Sequence, residues 1–112
     1  MIINKTKKTI IAKEYKICNS TASKAIGLMF TLKSKTLLFS WKKETMRGIH
    51  MFFVFFPIDI LWLNKNKKVI ALKENLKPFS IYKVSKPSKY IIEMPQRTIK
   101  TTKTKINDMI SF

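Results

Sequence analysis

The sequence predicts a mainly β fold: a small barrel-like antiparallel sheet with one short helix, with α+β as the close alternative. Three observations carry this. Apolar residues alternate in several short runs, the period of a strand with one buried face. Proline and asparagine punctuate those runs at regular spacing, as in small barrels and sandwiches. A single stretch, Thr21–Phe30, switches to the helical period.

The elements follow in order. "TIIAKEYKIC" reads as a strand with Ile11, Lys13, Tyr15 and Ile17 on one side. In "NSTASKAIGLMF", Ala22, Ala25, Ile26, Met29 and Phe30 form the i, i+3, i+4, i+7, i+8 stripe of an amphipathic helix. Asn19 or Ser20 can cap it by accepting a first-turn N–H. "TLLFSW" alternates again, and "KKETMRG" follows as a polar turn. "IHMFFVF" and "IDILWLN" read as two extended pieces joined at Pro57, whose missing N–H ends a strand or marks a bulge. "NKNK" is a turn, and "KVIALKENL" returns as the hairpin partner. "FSIYKVSK" is a short extended piece between Pro78 and Pro87, and "KYIIEMP" is a strand ending at Pro95. "INDMISF" reads as a turn at Asn107–Asp108 and a closing strand.

The 112 residues suit one domain, residues 1–112, large enough to bury a core. Without Gly/Ser-rich or proline-rich linkers and with only Gly27 and Gly48, long flexible loops are not expected. Cys18 is the only cysteine and His50 the only histidine, so an intrachain disulfide is impossible and a Cys/His zinc site lacks ligands. No metal and no cofactor are expected, and a Gly-rich phosphate loop is missing. The segment "HMFFVFFPIDILWL" is too short for a helical span of roughly 20 apolar residues. Pro57 and Asp59 would both be costly in its middle, so it is read as core. The N-terminal stretch is broken by charge every few residues and does not resemble a signal peptide. A cytoplasmic protein is expected.

Charge sets this chain apart. Against 23 basic residues stand 6 acidic ones, a formal net charge of +17. Such an excess bears on partners rather than fold. Nucleic acid, an anionic membrane surface and an acidic protein are the candidates. The lysines cluster at 5–8, 42–43, 65–68 and 100–105, in turns and near the chain ends. Lys42, Lys43, Lys65, Lys67, Lys68, Lys103 and Lys105 are the candidate nucleic-acid contacts, able to release counterions from a phosphate backbone if their turns share a face. Tyr15, Tyr82 or Trp41 could add base stacking. A solvated basic surface with no dedicated partner is the plain alternative.

Asp59 and Glu93 lie inside the most apolar strands, where an unpaired carboxylate is costly. A structural partner or a turn cap explains either one. The alternative is a hydrolase or metal-dependent site in which Asp59, Glu93 and His50 meet; nothing in their spacing enforces it. Cys18 with His50 could make a nucleophile–base pair, against the plainer reading of a small buried hydrophobe. In "FFVFF", residues 52–56, both faces are apolar, which predicts burial on both sides or a face offered to a second copy of the chain. A monomer or weak homodimer is expected.

Several of these stretches together resemble the domain of unknown function 192 family. They are "GLMF" at Gly27–Phe30, "LF" at Leu38–Phe39, "HMFFVFFPIDILWL", "KVI" at Lys68–Ile70, Pro78, "YIIEMP" at Tyr90–Pro95 and "ND" before the last strand. Order and spacing hold from about Ser20 to the end. The family usually has glycine where Arg97 stands and Gly-Asp at Asn107–Asp108. The resemblance implies a compact, mostly β domain of this length and carries no reaction with it.

Overall fold

The computed structural model describes residues 1–20, 35–51 and 53–112. The helix expected at Thr21–Phe30 lies outside the described residues. Ten strands and one short helix are present among them, so the fold is mainly β. The strands are β1 (Ile2–Asn4), β2 (Thr9–Ala12), β3 (Lys16–Cys18), β4 (Leu37–Met46), β5 (Ile49–His50), β6 (Ile58–Leu63), β7 (Val69–Leu76), β8 (Ile81–Tyr82), β9 (Pro87–Pro95) and β10 (Ile110–Ser111). The helix α1 is Thr98–Thr102.

A five-stranded sheet in the order β3-β4-β9-β6-β7 forms the middle layer. All its pairings are antiparallel except β3 with β4. Every residue of β6 is buried, because each face of the sheet carries its own core. On one face Ile58, Ile60, Trp62, Ile91, Leu37 and Phe39 pack under Met51 and Val54. On the other, Leu61, Leu63, Ile92 and Met94 pack against Ile2, Ile11, Ile99 and Ile110. The first face is covered in part by the two-stranded β5–β8 ribbon, the second by α1 and a three-stranded sheet, β10-β1-β2.

The expected closure into a barrel is corrected by this arrangement. The three sheets are open, with β3 and β7 at the two edges of the largest. The N-terminal strands pair with the chain's last strand and lie across a face instead of joining an edge. One bridge, Lys68 to Met109, links the two sheets at a corner.

Other expectations shift for local reasons. "TIIAKEYKIC" is not one strand: it bends at Lys13–Glu14, so its halves join different sheets. The bend resets the alternation, leaving Ile17 exposed and Cys18 buried. "KKETM" is not a turn but the end of β4, which resumes pairing with β9 past an irregularity between Ser40 and Thr45. Among the described residues of "IHMFFVF" the strand is Ile49–His50, and in "FSIYKVSK" it is Ile81–Tyr82. Gly48 permits that ribbon, since a Cβ there would stand 2.8 Å from the Tyr82 carbonyl oxygen.

Turns needing left-handed backbone have few glycines to draw on here. Lys8, Lys67, Asn75, Arg97, Lys103 and Asn107 all carry positive φ. The "NKNK" turn forms as expected: the Asn64 side-chain oxygen accepts from the Asn66 N–H at 2.9 Å and the Lys68 N–H at 3.0 Å.

Candidate polyanion-binding cleft

Helix α1 is too short to stand alone and is held from both ends. Its buried side chains are Ile99 and Thr102. Asp59, fully buried, accepts the Ile99 N–H at 2.9 Å through Oδ2 and the Asn75 N–H at 2.9 Å through Oδ1. One carboxylate therefore satisfies an unpaired first-turn donor of α1 and fixes the end of β7. Beyond the helix, Lys103 turns left-handed, and the Thr104 N–H returns to the Ile99 carbonyl at 3.1 Å. Asp108 then holds the following loop. Its carboxylate accepts from the Lys105 N–H, the Asn4 amide and the Lys7 ammonium, the last at 2.8 Å. Burial pushes the Asp108 carboxyl up, but those hydrogen bonds and the Lys7 charge outweigh it and hold the group below the usual range.

These clamps shape an open cleft. Its apolar floor is Leu72, Ile99 and Ile106; Lys7, Lys100, Lys103 and Lys105 stand around it, with Glu74 as the one acid of the lining. Lys100, Lys103 and Lys105 are exposed. Exposed cations beside a small apolar surface can bind phosphate or carboxylate groups.

Of the lysines expected from the sequence, Lys103 and Lys105 therefore line one cleft. Lys67 is otherwise engaged: its ammonium donates to the Phe112 carbonyl at 3.1 Å and lies 4.0 Å over that ring. Lys42, Lys43, Lys65 and Lys68 are exposed. The turn carrying Lys65 is tied to β4 by Glu44, which accepts the Lys65 N–H at 2.7 Å. It is tied to the cleft loop by the Ile110 N–H to the Lys67 carbonyl and the Asn107 N–H to the Val69 carbonyl. Sequence reading did not single out Leu72, Ile99 and Ile106 as a floor, because three separated residues show no common face until β7 and α1 are placed.

The structure does not bring Asp59, Glu93 and His50 together. Asp59 pairs with Met94 and Ile60 with Glu93, so the two carboxylates point to opposite faces of the sheet. Glu93 lies in a row with Leu37 and Ile60 on the Trp62 face, where burial pushes its carboxyl up to about 8. His50 is exposed on the separate β5–β8 ribbon. Cys18 is buried, which raises its thiol and suits a small hydrophobe rather than a nucleophile. Among the described residues, no three His, Cys, Asp or Glu side chains group so as to hold a metal ion. Also among them, no helix is long and apolar enough to cross a membrane.

The fold defines a class: small, mainly β proteins with open sheets. Within it the chain belongs to the DUF192 family, described as "Uncharacterized ACR", whose model matches residues 2–112. A UPF0127 protein of Pyrococcus horikoshii is 33% identical over 114 residues, covering 100% of this chain and 98% of that one. A UPF0127 protein of Thermococcus kodakarensis is also 33% identical, over 100% of this chain and 73% of its own length. Two solved structures share the fold. One, described as a "putative transcription regulator" from Sinorhizobium meliloti 1021, has a TM-score of 0.81 at 20% identity, over 87% of this chain and 79% of that one. The other, a protein of unknown function from Novosphingobium aromaticivorans, has a TM-score of 0.81 at 18% identity, over 88% of this chain and 74% of that one.

Proposed function

We propose that this is a small non-enzymatic binding protein of the cytoplasm that contacts a polyanion, nucleic acid in the first place, through the cleft between α1 and β7. It acts as a monomer, or at most a weak homodimer. One observation carries the proposal: exposed Lys100, Lys103 and Lys105 gather at an apolar cleft whose fourth lysine, Lys7, is paired with Asp108. Backbone clamps at Asp59 and Asp108 hold the lysine-bearing segments in fixed geometry, which lowers the entropy cost of meeting several phosphates at once. The remaining charge of a chain at +17 adds long-range attraction.

Isotope-labelled protein titrated with short single-stranded RNA and DNA at low and at physiological salt tests this. Shifts should concentrate on Thr98–Ile106 and on Lys7. Three engaged lysines give a log–log salt slope of about −2, or roughly a twentyfold weakening between 50 and 200 mM salt. The double variant K100E/K103E should abolish the shifts. No shifts at either salt, or shifts unaltered in K100E/K103E, would remove the proposal.

A further inference from the structure

On the opposite face of the sheet from the cleft lies a surface of different chemistry. Phe53, Phe55 and Phe79 are 47%, 51% and 54% exposed. Their rings form one group: Phe79 meets Phe53 edge-on at 6.4 Å and Phe55 at 5.8 Å. Phe53 and Phe79 both have left-handed backbone, with φ of 57° and 59°. Bulky residues adopt it at a cost, as the six turn residues named above also do. The two loops are locked to each other through Met51, whose carbonyl accepts the Phe79 N–H at 2.8 Å while its own N–H donates to the Ser80 carbonyl at 2.7 Å. At the β5–β8 ribbon, which both loops adjoin in sequence, exposed Met46 and Ile81 share a shallow depression with Arg47 and Lys83.

Charge identifies the occupant. From Thr45 to Ile58 and from Asn75 to Ile92 there is no acidic residue, whereas exposed Lys77, Lys83 and Lys86 fall in the second segment; Arg47 lies 3.9 Å over the Trp41 ring and Lys89 5.5 Å over Tyr90. A second copy of a chain at +17 would bring like charge against like. Base stacking calls for open ring faces, and these rings lie edge-on against one another. Apolar loop tips with a cationic border and no acid match an anionic bilayer, whose headgroups take the lysines while the rings enter the acyl boundary.

We propose that the Phe53–Phe55–Phe79 tip docks this protein on anionic lipid surfaces. The proposal is independent of the polyanion cleft, being on the other face of the sheet. Co-flotation of the full chain with phosphatidylcholine vesicles, with and without roughly a third phosphatidylglycerol, tests it. The wild type should float only with the anionic vesicles. Both substitutions in F55A/F79A are at exposed positions, and the variant should weaken that binding by at least about tenfold while keeping its circular dichroism and its oligonucleotide response. K100E/K103E, altered on the other face, should still float.

Three outcomes would overturn the proposal. The first is no flotation, or flotation that F55A/F79A leaves unchanged, which reduces the contact to charge alone. The second is loss of oligonucleotide affinity in F55A/F79A with vesicle binding intact, which assigns the rings to bases. The third is a wild-type dimer in sedimentation that F55A/F79A dissolves, without vesicle binding.

Discussion

Glu93 sits between Leu37 on β4 and Ile60 on β6, and burial lifts its carboxyl from an ordinary 4.5 to about 8. At pH 6 the folded protein therefore holds this proton while the unfolded chain has released it. Stability attached to the group is fully present below about 4.5 and falls as pH rises, until the carboxyl ionises near 8. The slope approaches about 1.4 kcal/mol per pH unit inside that window. E93Q keeps the shape and removes the titration, so it should flatten the profile and be more stable than wild type at pH 8. Urea unfolding at pH 5, 6.5 and 8 measures this; parallel profiles for the two proteins would refute it. Asp59 contrasts with Glu93 one strand away, since its two side-chain oxygens each accept a backbone N–H. The sequence identified both as unusual carboxylates in apolar strands. Which face each one takes depends on the β6–β9 register, and no single stretch of sequence contains that.

At the scale of elements, the loop between β9 and α1 turns at Arg97, with φ 73° and ψ −2°. Glycine occupies this left-handed region without steric cost, and an L side chain is strained there by about 1 kcal/mol. The glycine that the resemblance implies at this position thus has a physical reason, and this chain keeps the turn with arginine. R97G should stabilise the protein by about 1 kcal/mol, whereas R97A, which retains a Cβ, should not. Denaturant midpoints of the two variants decide it, and equal midpoints would refute it. Elements with strong local signals were legible: β6, β7 and β9 have long apolar or alternating runs bounded by Pro57, "NKNK" and Pro95. Elements without such signals were not. β1 has three residues and α1 five, too few to display a period. The parallel pairing of β3 with β4 is set by contacts across the chain rather than within either strand. The lysine clusters were legible because exposed charge needs no fold to explain it. Their gathering around Leu72, Ile99 and Ile106 was not, because it depends on where α1 docks.

The whole molecule is closed by its ends. β1 lies between β2 and β10, so the first and last strands are neighbours. Asp108 fastens that layer to the loop of the cleft: its carboxylate takes the Asn4 amide at 2.9 Å, the Lys105 N–H at 2.9 Å and the Lys7 ammonium at 2.8 Å. With the group nearly buried, D108A would strand several donors together, at a cost of about 3 kcal/mol. The loss should be global, because the same layer covers Leu61, Leu63 and Ile92 of the central sheet. Asp108 and Glu93 act in opposite directions on pH. The depressed Asp108 carboxyl contributes stability above its ordinary 3.8, and that contribution is lost as pH falls through its lower folded value. Glu93 weakens the fold as pH rises above 4.5. Stability should therefore peak on the acid side of neutrality. Mutual repulsion of the lysines works against this, since net charge grows as acids protonate, but exposed charges are screened by salt whereas the Glu93 penalty is not. In moderate salt the wild-type maximum should fall between about pH 4 and 6. D108A should lose stability throughout that range, and E93Q should broaden the maximum upward. Thermal unfolding across pH 3 to 9 reads all three, and a wild-type maximum at or above pH 8 would mean that Glu93 is not buried as a neutral acid.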